Sequence, residues 1–246
     1  MLRNNMKRAI ILSAGFGERL RPLTNTIPKP LLPIHGKPII AYIIERLKFF
    51  GILDIAINLH YLGNQIESYL GDGFRYGVRI TYFYEPTILG TGGALWNAKR
   101  FFNNQSLLVV NGDTLSDVDI MAMIREHFNS KAIATMALST VAPHDGFSCV
   151  ITNNQNRVIG FENDLRPLPG NRYVFTGTHI LDPVCFDFLP DGNSHIIDVF
   201  YKVALKKQLP IHAFLHNGYF YDIGTPKRYD DTCKEYLKGT GDDKSV

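Results

Sequence analysis

The sequence predicts an α/β fold: a Rossmann-like, three-layer arrangement in which helices cover both faces of a mixed, mostly parallel sheet. Two observations lead to it. Short apolar runs alternate with segments of helical periodicity through the first half of the chain, which is typical of parallel strands joined by helices. The second half holds closely spaced β-type runs, which indicates a hairpin. With 246 residues, of which 45% are hydrophobic, the chain can bury the core of such a domain.

The elements of the first half alternate regularly. Strands are predicted at residues 8–13, 54–59, 78–84, 107–110 and 132–138, and helices at 40–47, 62–70, 93–102 and 121–128. Ligands of parallel sheets bind beyond the carboxyl ends of the strands, so the loops after residues 12 and 110 are the expected positions of a site.

The second half is richer in strands. They are predicted at residues 147–152, 157–161, 173–181, 211–215 and 219–222, with helices at 196–206 and 225–237. Pro226 suits the first turn of the last helix. No repeat, linker or low-complexity segment separates the two halves, so we expect a single domain.

Composition argues against several classes of protein. The net charge is only +3, without the clustered basic face that nucleic-acid binding needs. The three cysteines, Cys149, Cys185 and Cys233, show neither zinc-ligand nor disulfide spacing, which favours the reducing cytoplasm. No apolar stretch approaches the ~18 residues of a membrane span. We therefore expect a cytoplasmic protein that binds neither nucleic acid nor membrane.

The segment at residues 11–30, which we call the opening loop, is the most informative part of the chain. A strand runs directly into Gly15 and Gly17, which let main-chain N–H groups approach anionic oxygens without a Cβ in the way. Arg19 and Lys29 then supply the positive charge that phosphoryl chemistry needs. This combination predicts a site for a triphosphate.

Two other phosphate sites fit the opening loop less well. A dinucleotide site needs a third glycine and a helix that starts at once, whereas this loop reads Gly-x-Gly-x-x-Leu and four prolines at positions 22, 28, 30 and 33 keep the chain irregular through the loop and just beyond it. A Walker loop needs a Gly-Lys-Ser/Thr ending, which is missing.

Taken whole, the opening loop resembles the signature of the sugar-1-phosphate nucleotidyltransferases, Leu-x-(Ala/Gly)-Gly-x-Gly-x-Arg-(Leu/Met)-x-Pro-Leu-Thr…Pro-Lys-Pro, with only Ser13 departing from its commonest form. The resemblance extends from residue 8 to about residue 237, and the chain is similar to mannose- or heptose-1-phosphate guanylyltransferases and to N-acetylmuramate-1-phosphate uridylyltransferases. It implies a GT-A-like fold without a β-helix tail, in an enzyme that acts as a monomer or small homo-oligomer on a nucleoside triphosphate, GTP or UTP, and a sugar 1-phosphate. One domain, 1–246, would comprise a nucleotide-binding core at about 8–140, a sugar-binding part at about 141–225 and a closing helix at 226–238.

Two aspartates are candidate metal ligands. Asp113 follows the apolar strand at 107–110, and Asp222 follows the strand at 219–222. Two carboxylates that converge from distant parts of the sequence suit Mg²⁺, which takes few protein ligands and completes its octahedron with phosphate and water. In the alternative interpretation, Asp113 caps a turn and Asp222 caps the last helix. The family resemblance implies the metal site.

A second glycine-rich segment precedes the predicted helix at 93–102. In the family resemblance, Gly90, Thr91 and Gly92 are contacts of the nucleotide base. Glu85 stands where many uridylyl and thymidylyl members carry glutamine. An ionised carboxylate only accepts hydrogen bonds, and guanine offers two adjacent donors where uracil offers one, so Glu85 favours GTP. The alternative for Glu85 is a side chain that faces solvent.

Four residues match positions where the family binds the sugar: Gly146, Glu162, Thr176 and Gly177. For Glu162, a surface residue on a hairpin is an equal alternative. Many relatives read Glu-Lys-Pro here, and their lysine binds the sugar phosphate, whereas this chain continues from Glu162 with Asn163-Asp164. Either another cation, such as Lys202 or Lys227, takes the place of that lysine, or the sugar phosphate is held differently.

The mechanism that the resemblance implies is a single in-line displacement at the α-phosphorus, with no enzyme nucleophile. The backbone amides around Ala14, Gly15 and Gly17 would hold the phosphates, Arg19 would steady the leaving pyrophosphate, and Lys29 would lie near the α-phosphate.

Two functions of another kind stay open. One is a non-catalytic regulatory subunit that senses nucleotide sugars, and the other is a choline-phosphate cytidylyltransferase. The chain keeps Arg19, Lys29 and both aspartates, which favours an enzyme. Its Gly-Thr-Gly-Gly segment fits the cytidylyltransferases poorly.

Overall fold

A computed structural model describes residues 6–141, 146–162 and 168–239, with side chains described to residue 236. Thirteen strands are described: β1 Arg8–Leu12, β2 Pro33–Ile34, β3 Lys37–Pro38, β4 Asp54–Leu59, β5 Arg79–Tyr84, β6 Leu107–Asn111, β7 Thr114–Ser116, β8 Ala134–Ser139, β9 Cys149–Thr152, β10 Val158–Phe161, β11 Asn171–Leu181, β12 Ile211–His216 and β13 Phe220–Asp222. The α-helices are α1 Ile39–Phe49, α2 Gly63–Leu70, α3 Gly90–Asn97, α4 Lys99–Phe102, α5 Ile120–Ser130, α6 Lys202–Lys206 and α7 Pro226–Gly239.

Nine of these strands form one mixed sheet. Its first part runs β6-β1-β4-β5, and these four strands are mutually parallel. The long strand β11 then pairs antiparallel with β6, β8 and β9, while β12 extends the sheet by pairing parallel with β8. The sequence therefore predicted the parallel half correctly and also the β9–β10 hairpin, which is antiparallel.

Alternate residues of the central strands point to opposite faces, which builds two cores. On β1, Ala9 and Ile11 belong to one apolar cluster and Ile10 to the other. The first cluster lies under α1, α2, α5 and α7, and the second under α3, α4 and α6. Helices thus cover both faces, as the three-layer prediction requires.

Two predicted helices differ from the observed ones. The helix predicted at 93–102 begins three residues earlier, at Gly90, and is divided at Ala98 into α3 and α4. The helix predicted at 196–206 starts as a π-helical turn, Ile197–Tyr201, before α6. Both differences concern backbone hydrogen bonding, which the period of the apolar residues does not specify.

A separate two-stranded sheet matters for the site. The short strand β13 pairs antiparallel with β7, and Asp222 lies opposite Thr114. Strand β7 begins three residues after the end of β6, so this pairing brings residues 220–222 beside the carboxyl edge of the main sheet.

No helix of the described residues is both long enough and apolar enough to cross a membrane.

Candidate active site

A cleft of about 270 Å³ opens at the carboxyl ends of the parallel strands. Ser13, Ala14 and Gly15 line it after β1, and Asn111, Gly112 and Asp113 line it at the end of β6. Strands β1 and β6 are parallel neighbours, so their carboxyl ends lie side by side and both loops open at the same edge. The two loops that the sequence selected therefore meet in one cleft.

Gly15 and Gly17 play different parts in the opening loop. Gly15 is exposed, and a Cβ at this position would meet no atom within 4 Å, so its backbone is open to the cleft. Gly17 has a φ of 65°, and its carbonyl accepts hydrogen bonds from Leu20 N at 2.9 Å and Thr24 Oγ1 at 2.8 Å. Gly17 thus shapes the turn, whereas Gly15 leaves the backbone accessible.

The two candidate metal ligands lie next to each other. Ile223 N donates a hydrogen bond to the carbonyl oxygen of Asp113 at 3.2 Å, continuing the pairing of Asp222 with Thr114. Residues 113 and 222 are therefore neighbours in space although they are 109 positions apart in the sequence. Among the described residues, no group of three or more histidines, cysteines or acidic residues could hold a metal ion. Any metal here would depend on two carboxylates and on the substrates.

Cationic side chains approach each of these carboxylates. Lys29 Nζ forms an ion pair with the Asp113 carboxylate, and Arg228 Nη1 lies 2.9 Å from Asp222 Oδ1. Arg19 approaches the same turn, because a Cβ on Gly224 would lie 3.2 Å from its Nη2. The two predicted catalytic cations, Arg19 and Lys29, thus lie beside the two predicted metal ligands.

The alternative roles of Asp113 and Asp222, in which each caps a turn or a helix, are compared with their observed hydrogen bonds. Asp222 Oδ1 accepts a hydrogen bond from Gly224 N at 2.8 Å, so it stabilises a local turn. It does not cap α7, because Thr225 Oγ1 accepts the hydrogen bond from Arg228 N, at 3.3 Å. The Asp113 carboxylate binds a lysine 84 positions earlier in the chain.

Glu85 is only 4% exposed, so the alternative of a solvent-facing side chain is wrong. Its Oε1 accepts a hydrogen bond from Asn58 Nδ2 at 2.7 Å, and its Oε2 accepts one from Leu89 N at 2.9 Å. Asn58 Oδ1 in turn accepts from Ser13 N at 2.8 Å. Asn58 therefore connects the start of the opening loop with Glu85, and all three residues line the cleft.

The second glycine-rich segment lies inside a helix, whereas the sequence predicted that it precedes one. Its glycines begin α3 and pack against the backbone at residues 192–194. A Cβ on Gly93 would lie 2.1 Å from Gly192 O, and Gly92 N already donates to Ser194 O at 2.8 Å. Gly92 is buried by this contact.

Two residues of this segment face the cleft. Gly90 and Thr91 line it beside His195. The Thr91 hydroxyl accepts a hydrogen bond from Ile196 N at 3.0 Å, so its oxygen is held by the neighbouring segment. The contacts with a nucleotide base remain predictions, with the strongest geometry at Gly90 and Thr91.

Gly146 and Glu162, two of the predicted sugar contacts, flank the β9–β10 hairpin. A Cβ on Gly146 would lie 2.8 Å from Arg228 Nη2, which brings this glycine close to Asp222. Glu162 is exposed, and its Oε2 accepts a hydrogen bond from Cys149 N at 3.0 Å. The departure at Asn163 and Asp164 lies outside the described residues.

Thr176 and Gly177, the other two predicted sugar contacts, form an irregularity in β11. Thr176 is fully buried, and its hydroxyl donates to Ala137 O at 3.0 Å. Gly177 has a φ of 79°, and a Cβ here would lie 2.5 Å from Asn111 Nδ2. Gly177 thus lets β11 approach a residue of the cleft, whereas Thr176 points into the sheet.

His179, two residues after Gly177 on β11, lies inside the sheet as well. Burial lowers the pKa of its imidazole to about 3, so the ring is neutral at physiological pH. Its Nδ1 lies 2.7 Å from the hydroxyl of Tyr201, with which it shares a hydrogen bond. His179 therefore contributes to packing behind the site.

Sequence reasoning missed two residues of the site, Asn58 and Arg228. Asn58 offered a signal, because it is a polar residue within the apolar strand at 54–59 and near its carboxyl end. Arg228 offered none, since a basic residue in a helix is most simply solvated.

Comparison with known proteins agrees with this geometry. The family model described as nucleotidyl transferase matches residues 8–239. The chain belongs to this family. It is 38% identical to an N-acetylmuramate α-1-phosphate uridylyltransferase from Neisseria meningitidis, with 89% of this chain and 93% of the relative aligned. It is 35% identical to a D-glycero-α-D-manno-heptose 1-phosphate guanylyltransferase from Aneurinibacillus thermoaerophilus, with 92% and 97% aligned.

Solved structures of nucleotidyltransferases share the fold. The structure of HddC from Yersinia pseudotuberculosis complexed with GMP-PN superposes with a TM-score of 0.80 at 25% identity, over 94% of this chain and 100% of that one. The present chain therefore has the α/β fold that its sequence predicted. It spans only 61% and 65% of the length of two other curated relatives.

Proposed function

We propose that this protein transfers a nucleotidyl group from GTP to a sugar 1-phosphate, giving a GDP-sugar and pyrophosphate. One observation carries the proposal: the opening loop and the paired aspartates meet at one edge of the sheet, with Lys29 bound to Asp113. Phosphate-binding backbone, cations and metal-binding carboxylates are the parts that phosphoryl transfer requires. The names of the two relatives with nearly complete overlap support the same reaction class.

The residues present fit a magnesium ion. Asp113 and Asp222 offer hard oxygen ligands from adjacent backbone segments, and Mg²⁺ takes such ligands in small number beside phosphate. When bound, the ion would supply the positive charge that neutralises the phosphates of both substrates. Lys29 and Arg19 would continue to balance the charge of the site after a ligand enters.

The protein's own residues position the reactants. The open backbone at Gly15, with Ala14 and Gly17 beside it, would bind phosphate oxygens. Lys29 would hold the α-phosphate, and Arg19 would hold the leaving pyrophosphate. An oxygen of the sugar phosphate attacks the α-phosphorus, the bond from that phosphorus to the bridging oxygen breaks, and pyrophosphate carries away the electron pair. Placement and charge neutralisation supply the catalysis.

Glu85 supports GTP as the nucleotide. Asn58 Nδ2 and Leu89 N hold its two carboxylate oxygens as acceptors, and each oxygen keeps a further lone pair. Guanine presents two adjacent N–H donors to such a pair of oxygens. Uracil presents one N–H donor between two carbonyl oxygens, which the carboxylate would repel. The guanylyltransferase relative and the HddC complex support the same choice.

The test is a panel assay of pyrophosphate release. GTP, UTP, ATP, CTP and dTTP are each combined with mannose, glucose, heptose and N-acetylmuramate 1-phosphates, with and without EDTA. We expect release with GTP and at least one sugar 1-phosphate, and its loss in EDTA. Release with UTP alone would contradict the assignment of the base, and would agree with the uridylyltransferase relative.

The same assay, with phosphocholine added to the panel of phosphate substrates, separates the functions of another kind. Release with CTP and phosphocholine alone would identify a cytidylyltransferase. A nucleotide that binds in calorimetry without any release of pyrophosphate would indicate a non-catalytic sensor. Either result would overturn the proposed reaction.

A further inference from the structure

Asn111 is a polar residue of the cleft to which the proposed function gives no role. It ends β6 and lines the cleft beside Gly112 and Asp113. Among the residues that the structure describes, none forms a hydrogen bond with its side-chain carboxamide. We propose that this carboxamide binds a hydroxyl group of the sugar 1-phosphate. The inference rests on the proposed function, and it assigns a substrate contact to a residue that the family resemblance did not mark.

The side chain of Asn111 points to the face of the sheet that α3 covers. On β6, Leu107 and Val109 belong to the apolar cluster under α3, and residue 111 follows in the same alternation. Thr91, which is part of α3, and His195 line the cleft together with Asn111. The carboxamide therefore faces the space between the strand ends and α3, where a ligand of the cleft would lie.

Gly177 of β11 gives this carboxamide its room. A Cβ at position 177 would lie 2.5 Å from Asn111 Nδ2 and 2.7 Å from Asn111 Cγ. The φ of Gly177 is 79°, a backbone conformation that glycine adopts readily and other residues rarely adopt. The glycine thus lets β11 approach the Asn111 side chain closely. Packing holds the carboxamide in place, while no described residue binds its polar atoms.

The order of the strands indicates which substrate this group meets. The sheet runs β11-β6-β1-β4-β5 at the cleft, with Glu85 after β5, Gly15 after β1 and Asp113 after β6. A nucleotide with its base at Glu85 and its phosphates between Gly15 and Asp113 would occupy this edge as far as β6. The sugar 1-phosphate would then lie toward β11, where Asn111 and Gly177 meet.

A carboxamide suits a sugar hydroxyl better than a phosphate group. The asparagine side chain both donates and accepts hydrogen bonds, and so does a hydroxyl. Phosphate oxygens accept hydrogen bonds and favour cations, and Lys29 and Arg19 lie beside the two candidate metal ligands. The uncharged, hydroxyl-bearing sugar ring is therefore the part of the substrate that Asn111 would recognise.

The experiment first separates the two substrates. Asn111→Leu keeps the branched shape of the side chain and removes its hydrogen bonds. Asn129→Leu, at an exposed position of α5, is the matched control. KM values are measured for GTP and for the sugar 1-phosphate that the panel assay selects. We expect Asn111→Leu to raise KM for the sugar 1-phosphate about tenfold, because a hydroxyl is left unpaired, with KM for GTP within about twofold. Asn129→Leu should keep both values.

Monodeoxy analogues of that sugar 1-phosphate then identify the hydroxyl. With the natural protein, removal of the hydroxyl that Asn111 binds should raise KM about tenfold. With Asn111→Leu, the same analogue and the parent sugar 1-phosphate should have equal KM values, because the hydrogen bond is already absent. An unchanged KM for the parent in Asn111→Leu, or an equal rise for GTP, would overturn the inference. Analogues that are affected alike in both proteins would also overturn it, since they would indicate a packing role.

A binding measurement keeps this inference separate from the proposed reaction. Each sugar 1-phosphate of the panel is titrated in EDTA into the natural protein and Asn111→Leu, with and without a non-hydrolysable GTP analogue. Weaker binding by the variant supports the inference even if no nucleotide is turned over. Equal binding, or no binding of any sugar 1-phosphate, refutes it, whatever the panel assay shows. Melting temperatures verify folding, and Asn111→Ala, which cannot overfill the space beside Gly177, replaces Asn111→Leu if that variant unfolds.

Discussion

Two glycine-rich segments border the cleft, and they use their glycines for different purposes. In the opening loop, a Cβ on Gly15 would meet nothing within 4 Å, so the backbone faces open space. In the segment that begins α3, a Cβ on Gly93 would lie 2.1 Å from Gly192 O, and one on Gly92 would lie 2.6 Å from Ser194 Oγ. One segment keeps its backbone accessible to a ligand, while the other packs against a second backbone.

The difference teaches that glycine content alone does not identify a ligand-binding backbone. What separates the two segments is their charge. The opening loop continues to Arg19 and Lys29, whereas the second segment continues into the apolar helix α3. We therefore expect changes around the opening loop to affect catalysis with little effect on folding, and changes at Gly93 to affect folding.

The largest effect is expected at the acidic residue that faces the opening loop. Asp113→Asn removes the negative charge that pairs with Lys29 and that would bind the metal. Turnover should fall on the order of 10²-fold or more, because the site loses a preorganised charge. Pyrophosphate release measures the change, and urea unfolding should show stability within about 1 kcal/mol of the natural protein. Asp54→Asn, which breaks an ion pair with Arg79 at the other end of the sheet, is the matched control and should keep normal turnover.

The next effect concerns packing at the second segment. Gly93→Ala places a methyl group against a backbone carbonyl, which cannot move aside as a flexible side chain could. We expect a loss of about 2 kcal/mol in the free energy of unfolding, measured in urea. Gly15→Ala is the control, with a stability change within about 0.5 kcal/mol. If both variants were equally stable, the contrast between the two segments would be wrong.

The parallel half of the fold was predictable because the signals of its strands lie within short stretches of the sequence. Buried strands read as apolar runs, and their carboxyl ends share one edge, so the meeting of Gly15 and Asp113 followed from topology. The approach of Asp222 to Asp113 depends on β7 and β13, two strands of three residues each. Such short pairings carry no periodic signal, and only the family resemblance indicated that these residues converge.

Contacts made by irregular backbone could not be predicted from the sequence. The docking of α3 on residues 192–194 explains its glycines, yet both partners read as loops in the sequence. The burial of Thr176 follows from the irregular pairing of β11 with β8, which shifts the register between Phe175 and His179. The use of Gly146 to admit Arg228 depends on a helix 80 residues later.

The selectivity for the base is expected to change at Glu85. Glu85→Gln replaces one acceptor oxygen by an NH₂ group, which would face either Asn58 Nδ2, the Leu89 amide or the base. We expect the ratio of kcat/KM for GTP to that for UTP to fall about tenfold or more, since hydrogen bonds to charged groups contribute about 1.5–3 kcal/mol. Competition assays with both nucleotides measure this ratio. Glu126→Gln, which affects an ion pair with His212 outside the cleft, should leave the ratio unchanged.

The smallest effect on activity is expected from a substitution at Gly15. This prediction tests the contrast between the two glycine-rich segments. In Gly15→Ala the added methyl group meets no protein atom, so any loss must arise from contact with the nucleotide. We expect KM for GTP to rise several-fold, or about 1 kcal/mol, because a Cβ keeps phosphate oxygens from the backbone. Gly36→Ala is the converse control: with a φ of 78° and no atom within 4 Å, it should lose about 1 kcal/mol of stability and keep its KM. An unchanged KM in Gly15→Ala would mean that the open backbone of the opening loop does not touch the nucleotide, and the two segments would then differ in packing alone.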